Sequence, residues 1–142
     1  MRIATKEEVQ IGLGGFIDKC VVTDRRDRFS GFLSSSKGIK KWLVQLDHFQ
    51  NYLDIYAAKP IHSTINSQEL ISKFGLNSET EVLIFSTLNG MQCVVSSLTA
   101  SIQETYKMGN GSILCSLNSK VPFWFYFGEE PHAQYFFTSK LS

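Results

Sequence analysis

The chain reads as an α+β domain, with helices from its first half packed on one face of a mainly antiparallel sheet of about five strands from its second half. Three observations predict this. Residues 36 to 58 space their apolar side chains as a helix does, and from residue 80 onward the apolar period drops to two. The stretch VPFWFYFGEEPHAQYFF, residues 121 to 137, gathers eight of the eighteen aromatic residues around a polar, Pro-containing centre, the pattern of a hairpin.

The helical elements come first in the chain. Ile39, Trp42, Leu43, Leu46, Phe49, Leu53 and Tyr56 form one stripe at spacings of three and four, so a helix is expected over residues 36 to 58, ended by Pro60. A shorter helix is expected over residues 67 to 74, with Asn66 or Ser67 accepting the first free amides and Gly75 supplying a left-handed end. Thr5 and Glu8 fit a capping box, but Gly12, Gly14 and Gly15 each cost about 1 kcal/mol inside a helix, so only a brief one is expected there.

Three hairpins are predicted. TEVLIFSTL and MQCVVSSL flank Asn89-Gly90, the pair that best fits a two-residue type I′ turn, which sets Leu88 against Met91, Phe85 against Val94 and Ile84 against Val95. ASIQETYK and SILCSLN flank Met-Gly-Asn-Gly, pairing Tyr106 with Ile113, Glu104 with Cys115 and Ile102 with Leu117 in a half-solvated hairpin. With residues 129 to 132 as a loop, Phe125 opposes Phe136, Trp124 opposes Phe137 and Tyr126 opposes Tyr135. Phe123, Phe125, Phe127 and Phe136 then share one face, which the helices can cover.

The other face, Trp124, Tyr126, Tyr135 and Phe137, has no evident cover. Cover by the N-terminal segment around Leu13, Phe16 and Phe32 is one account, a protein-binding surface a second and a small-ligand pocket a third. Arg25, Arg26 and Arg28, in TDRRDRFSG, offer a second group of interface residue types, within a window from Lys19 to Lys41 that holds seven of the fourteen Lys and Arg residues. Asp24 and Asp27 interleave them, which equally fits a solvated loop.

The remaining features exclude more than they assign. A net charge of +1 argues against general nucleic-acid binding. Gly12-Leu13-Gly14-Gly15 lacks the spacing and partners of a phosphate loop. Cys20, Cys93 and Cys115 are scattered and read as reduced thiols, and no metal or cofactor motif is present. Asp47 and His48 are adjacent and would diverge on a helix, His62 stands alone, and Glu129, Glu130 and His132 sit at a hairpin tip, so no catalytic set is expected. The charged start MRIATKEEVQ and the lack of a long apolar run point to a cytoplasmic protein without membrane contact.

The expectation is therefore one domain, residues 1 to 142, that binds a protein partner without chemistry of its own. Its most concrete form is a bacterial-type immunity protein or inhibitor that sterically blocks a toxin domain, with Trp124, Tyr126, Tyr135, Phe137, Arg25, Arg26 and Arg28 at the contact. The rival is a small-molecule-binding domain or an unfamiliar enzyme with a pocket between helix 36 to 58 and the sheet.

Overall fold

A computed structural model describes residues 1 to 139. The helices are α1 (Lys6–Cys20), α2 (Arg26–Phe32), α3 (Ser36–Leu43), α4 (Ser67–Lys73) and α5 (Leu98–Thr105), with 3₁₀ turns at Thr23–Arg25, Leu46–Tyr52 and Ile55–Ala57. The strands are β1 (Arg2–Ile3), β2 (Lys59–Pro60), β3 (Glu81–Ser86), β4 (Val94–Ser97), β5 (Ser112–Ser116), β6 (Phe123–Phe127) and β7 (Gln134–Thr138). Among the described residues these seven strands form one antiparallel sheet in the order β1-β4-β3-β5-β6-β7-β2, two more than expected, because β1 and β2 add short edges. The class is α+β.

Helices cover both faces rather than one. Leu83, Phe85, Val95, Ile113, Cys115, Trp124, Tyr126 and Phe137 pack with Leu13 and Phe16 of α1, Phe29 of α2, Trp42 of α3, and Leu46 and Phe49. Val82, Ile84, Leu114, Phe123, Phe125, Phe127 and Phe136 pack with Leu70 of α4 and Leu98 and Ile102 of α5. Phe74, just past α4, stacks on Phe136 with ring centroids 4.0 Å apart. The first-half helices thus cover the face that had no evident cover, and α4 and α5 take the phenylalanine face.

Helix α1 runs fifteen residues through its glycines because two of them touch the sheet. A β-carbon on Gly12 would lie 2.8 Å from Leu83 Cδ2, and one on Gly15 would lie 3.2 Å from Trp124 Cζ2. Close approach to the sheet offsets the low helix propensity. The Thr5/Glu8 capping box forms as expected, and Asn66 with Glu69 forms a second one at α4, with Gly75 at φ +63 beyond its end.

The expected helix over residues 36 to 58 is broken. Only Ser36–Leu43 is α-helical, and His48 leaves helical geometry at φ −116 and ψ 27. Trp42, Leu46, Phe49 and Leu53 are nonetheless all buried, and Leu46 and Phe49, three residues apart within the 3₁₀ segment, fall on one side of it. The α ladder gives way to tertiary partners. The Tyr126 hydroxyl accepts from Phe49 N at 3.0 Å and donates to Leu46 O at 2.7 Å, and Glu129 N donates to Asp47 O.

Two hairpins form and the third does not. β6 and β7 pair in the expected register, Phe125 with Phe136, Trp124 with Phe137 and Tyr126 with Tyr135. β3 and β4 pair antiparallel, but Ile84 meets Val94 and Leu83 meets Val95, one residue from expectation. Gly90 takes φ +79 while Asn89 does not turn positive, so residues 87 to 93 form a longer loop in place of a type I′ turn. ASIQETYK is mostly helix α5, not strand. The Ser97 side chain caps it, Leu98, Ile102 and Tyr106 recur at intervals of four, and the Ser101 and Thr105 hydroxyls donate to carbonyls four residues back at 2.6 Å. β5 pairs with β3 and β6 instead, and both of its faces are buried, Ile113 and Cys115 in one core and Leu114 in the other.

Candidate functional site

The aromatic residues expected at a protein interface form the interior. Trp124 is 6% exposed, Tyr126 is fully buried and Phe137 lies against Phe16 of α1, while Tyr135 is half-buried against the same core. Burial pushes the Tyr126 phenol well above its ordinary range. The glycine face of α1 and the 3₁₀ segment 46–52 supply the missing cover, so these four side chains present no open aromatic surface.

Arg25 and Arg28 are exposed and Arg26 half-buried, on helical structure rather than a solvated loop. Arg25 ends a 3₁₀ turn, Arg26 donates from Nε to Val21 O at 3.0 Å, and Arg28 lies over the Phe29 and Phe32 rings at 5.9 and 5.7 Å. This segment adjoins residues 52 to 57 through Val22 N to Tyr52 O at 2.9 Å and Asp54 N to Cys20 O at 2.7 Å. On the turn that follows, Ile55 and Tyr56 are exposed, at 51% and 96%. Tyr56 belonged to the predicted helical stripe; the break in that helix turns it outward. Its spacing in the sequence carries no sign of this.

The pocket expected between residues 36 to 58 and the sheet is filled. Trp42 meets Phe85 at 5.2 Å between centroids and Phe49 meets Tyr126 at 6.2 Å. A cavity of about 300 Å³ lies elsewhere, beside the last hairpin tip, lined by Ser63, Lys107, Gly128, Glu129, Pro131 and Gln134 among others. The sequence offered no signal for it, since three distant segments supply its walls.

The acid–base candidates take separate roles. Asp47 Oδ1 accepts from Gly111 N at 2.6 Å and from Thr87 Oγ1 at 3.0 Å, fastening the 3₁₀ segment to the sheet. His48 instead meets Glu129 at 3.2 Å, and His132 meets Glu130 at 2.9 Å, both pairs in solvent. His62 is exposed. Among the described residues no three His, Cys, Asp or Glu side chains form a metal-binding group, and no helix is long and apolar enough to cross a membrane.

All three cysteines are free thiols. Burial pushes Cys20 and Cys115 far up and Cys93 up to about 11. A raised thiol stays protonated in the fold while the unfolded chain ionises, so its contribution is complete below the ordinary value of 9.0 and is lost as pH climbs through about 11 for Cys93. Urea midpoints are therefore expected to fall between about pH 8.5 and about pH 10.5, and less so in a Cys93→Ser variant. Equal declines in both proteins would show that Cys93 does not contribute.

Comparison with family models, with curated proteins and with solved structures finds no match for this chain.

Proposed function

We propose that the protein is a non-enzymatic binding module whose contact surface is the arginine segment Arg25, Arg26 and Arg28 together with Ile55 and Tyr56. The observation that carries this reading is the exposure of Tyr56, on a turn whose approach is bonded to residues 20 and 22, just ahead of the arginine segment. A tyrosine at 96% exposure brings large area with few rotamers to freeze, and arginine and tyrosine are the residue types that most often anchor interfaces. Arg28 is held over two rings, so less of its freedom is lost on binding.

The partner that fits is a protein with an acidic surface, which the guanidinium groups can fork onto. In its most concrete form the chain is a cytoplasmic, bacterial-type immunity protein that blocks a toxin domain by covering it, a role that needs complementarity and no chemistry. The test is binding to the product of the adjacent reading frame. The wild-type chain is expected to bind it and to restore growth on co-expression. Tyr56→Ala and the double change Arg25→Glu, Arg28→Glu are each expected to weaken the complex by about 2 kcal/mol or more, with unfolding midpoints unchanged. Full protection by both variants, or no binding by the wild type, would overturn the reading.

A further inference from the structure

We propose that Asn89-Gly90 is a site of spontaneous covalent modification, where Asn89 converts to aspartate and isoaspartate, and that the fold shields the second Asn-Gly pair, Asn110-Gly111, from the same reaction. These are the two Asn-Gly pairs of the chain. The reaction starts at the backbone. The amide nitrogen of the following residue loses its proton and adds to the asparagine Cγ, closing a five-membered imide as the Cγ–Nδ2 bond breaks and ammonia leaves with the proton. Water then adds to one of the two imide carbonyls. Opening at one gives aspartate and at the other isoaspartate, with no change of oxidation state. Glycine as the following residue favours ring closure, since no β-carbon crowds the nitrogen.

The two pairs differ in what holds that nitrogen. Asn89 and Gly90 are both exposed, in the loop of residues 87 to 93 between β3 and β4. Around them, Met91 N donates to Leu88 O and Leu88 N to Ser86 Oγ, but Gly90 N and the Asn89 side chain have no hydrogen-bond partner among the described residues. Nothing lies within 4 Å of where a β-carbon on Gly90 would stand. The nitrogen can therefore approach Cγ without first breaking a contact.

Gly111 N is held. It donates to Asp47 Oδ1 at 2.6 Å, and Gly111 lies so close to the Leu46 and Asp47 backbone that no β-carbon fits. Gly111 O in turn accepts from Thr87 N at 3.2 Å. The carboxylate keeps the proton on the nitrogen, since a negative charge alongside disfavours a second one. Turning the nitrogen toward Asn110 Cγ would break a hydrogen bond to a charged group, one of the stronger kinds. Asn110 itself is half-buried. The same dipeptide thus stands once in an unrestrained loop and once in a clamp. The reactive pair shares no residue with the arginine and Tyr56 surface.

The experiment is ageing of the full chain just above neutral pH in two arms, folded and in concentrated urea, read by peptide mapping in a mass spectrometer and by enzymatic methylation of isoaspartyl carboxyl groups. In the folded arm Asn89 is expected to lose its amide at least about tenfold faster than Asn110, a factor set by the bond to Asp47. In urea the two rates should come together, because neither nitrogen is then held. Asn89→Gln, whose longer side chain would have to close a six-membered ring, should leave the folded chain without isoaspartate. An unmodified Asn89 or comparable rates at the two sites in the folded chain would overturn the proposal. So would a gap of the same size persisting in urea, which would place the difference in the local sequence and not in the fold.

Discussion

Gly111→Ala is expected to lower the unfolding free energy by about 3 kcal/mol or more. Gly111 opens the approach to β5, and a β-carbon there would collide with the backbone of Leu46 and Asp47. No side-chain rotation relieves a collision with backbone, so strand and 3₁₀ segment must separate. Separation would draw Gly111 N away from Asp47 Oδ1, now 2.6 Å away, and Gly111 O away from Thr87 N, now 3.2 Å away. Each of those groups would lose a partner in a region with little water access. A urea midpoint equal to that of the wild type would show that β5 does not lie against residues 46 and 47.

The second large effect concerns Tyr126. Tyr126→Ala removes a fully buried ring and the hydroxyl that serves Phe49 N and Leu46 O, and a loss of about 3 to 5 kcal/mol is expected. Tyr126→Phe keeps the ring and isolates the hydroxyl, with about 1 to 3 kcal/mol expected. Both are measured by denaturant unfolding, alongside partner affinity of the folded fraction. An interface role for this residue predicts the reverse, near-normal stability with weakened binding, and that outcome would reopen the aromatic face as a surface. Trp124→Ala should follow Tyr126→Ala, since its ring fills the space under Gly15.

What the sequence disclosed depended on whether a local pattern had one structural answer. The β6–β7 register was legible because aromatic residues alternate on both sides of a four-residue polar loop, leaving one pairing that keeps each face consistent. The Thr5–Glu8 capping box was legible for the same reason, as the side chain and the amide it satisfies are three residues apart, and of the two cap candidates at α4 it is Asn66 that takes the role.

Other patterns had two answers. The three-and-four spacing from Ile39 to Tyr56 fits α and 3₁₀ turns alike, and the choice was made by Tyr126 and Glu129, some eighty residues away, as they claimed backbone groups of the segment. Residues 98 to 105 satisfy both a period of two and a recurrence of four, and Ser97 settled it by capping a helix. Site legibility followed the same line. The arginine cluster is visible as composition, but the exposure of Tyr56 depends on a tertiary break, and the cavity depends on residues 63, 107 and 134 meeting through the sheet.

The two outermost strands carry a consequence for the order of assembly. The five inner strands lie between residues 81 and 138, and each pairs with a strand close to it in the chain. The rims are different: Arg2 must meet Val95, and Lys59 must meet Phe136. Closing such long loops carries an entropic penalty before any contact offsets it, so the inner five strands can gather first and the rims last. During synthesis the amphipathic α1 therefore emerges well before the Leu83, Cys115 and Trp124 surface that its glycines fit. Until that surface forms, the apolar side of α1, with Val9, Leu13, Phe16 and Ile17, has no sheet to pack on.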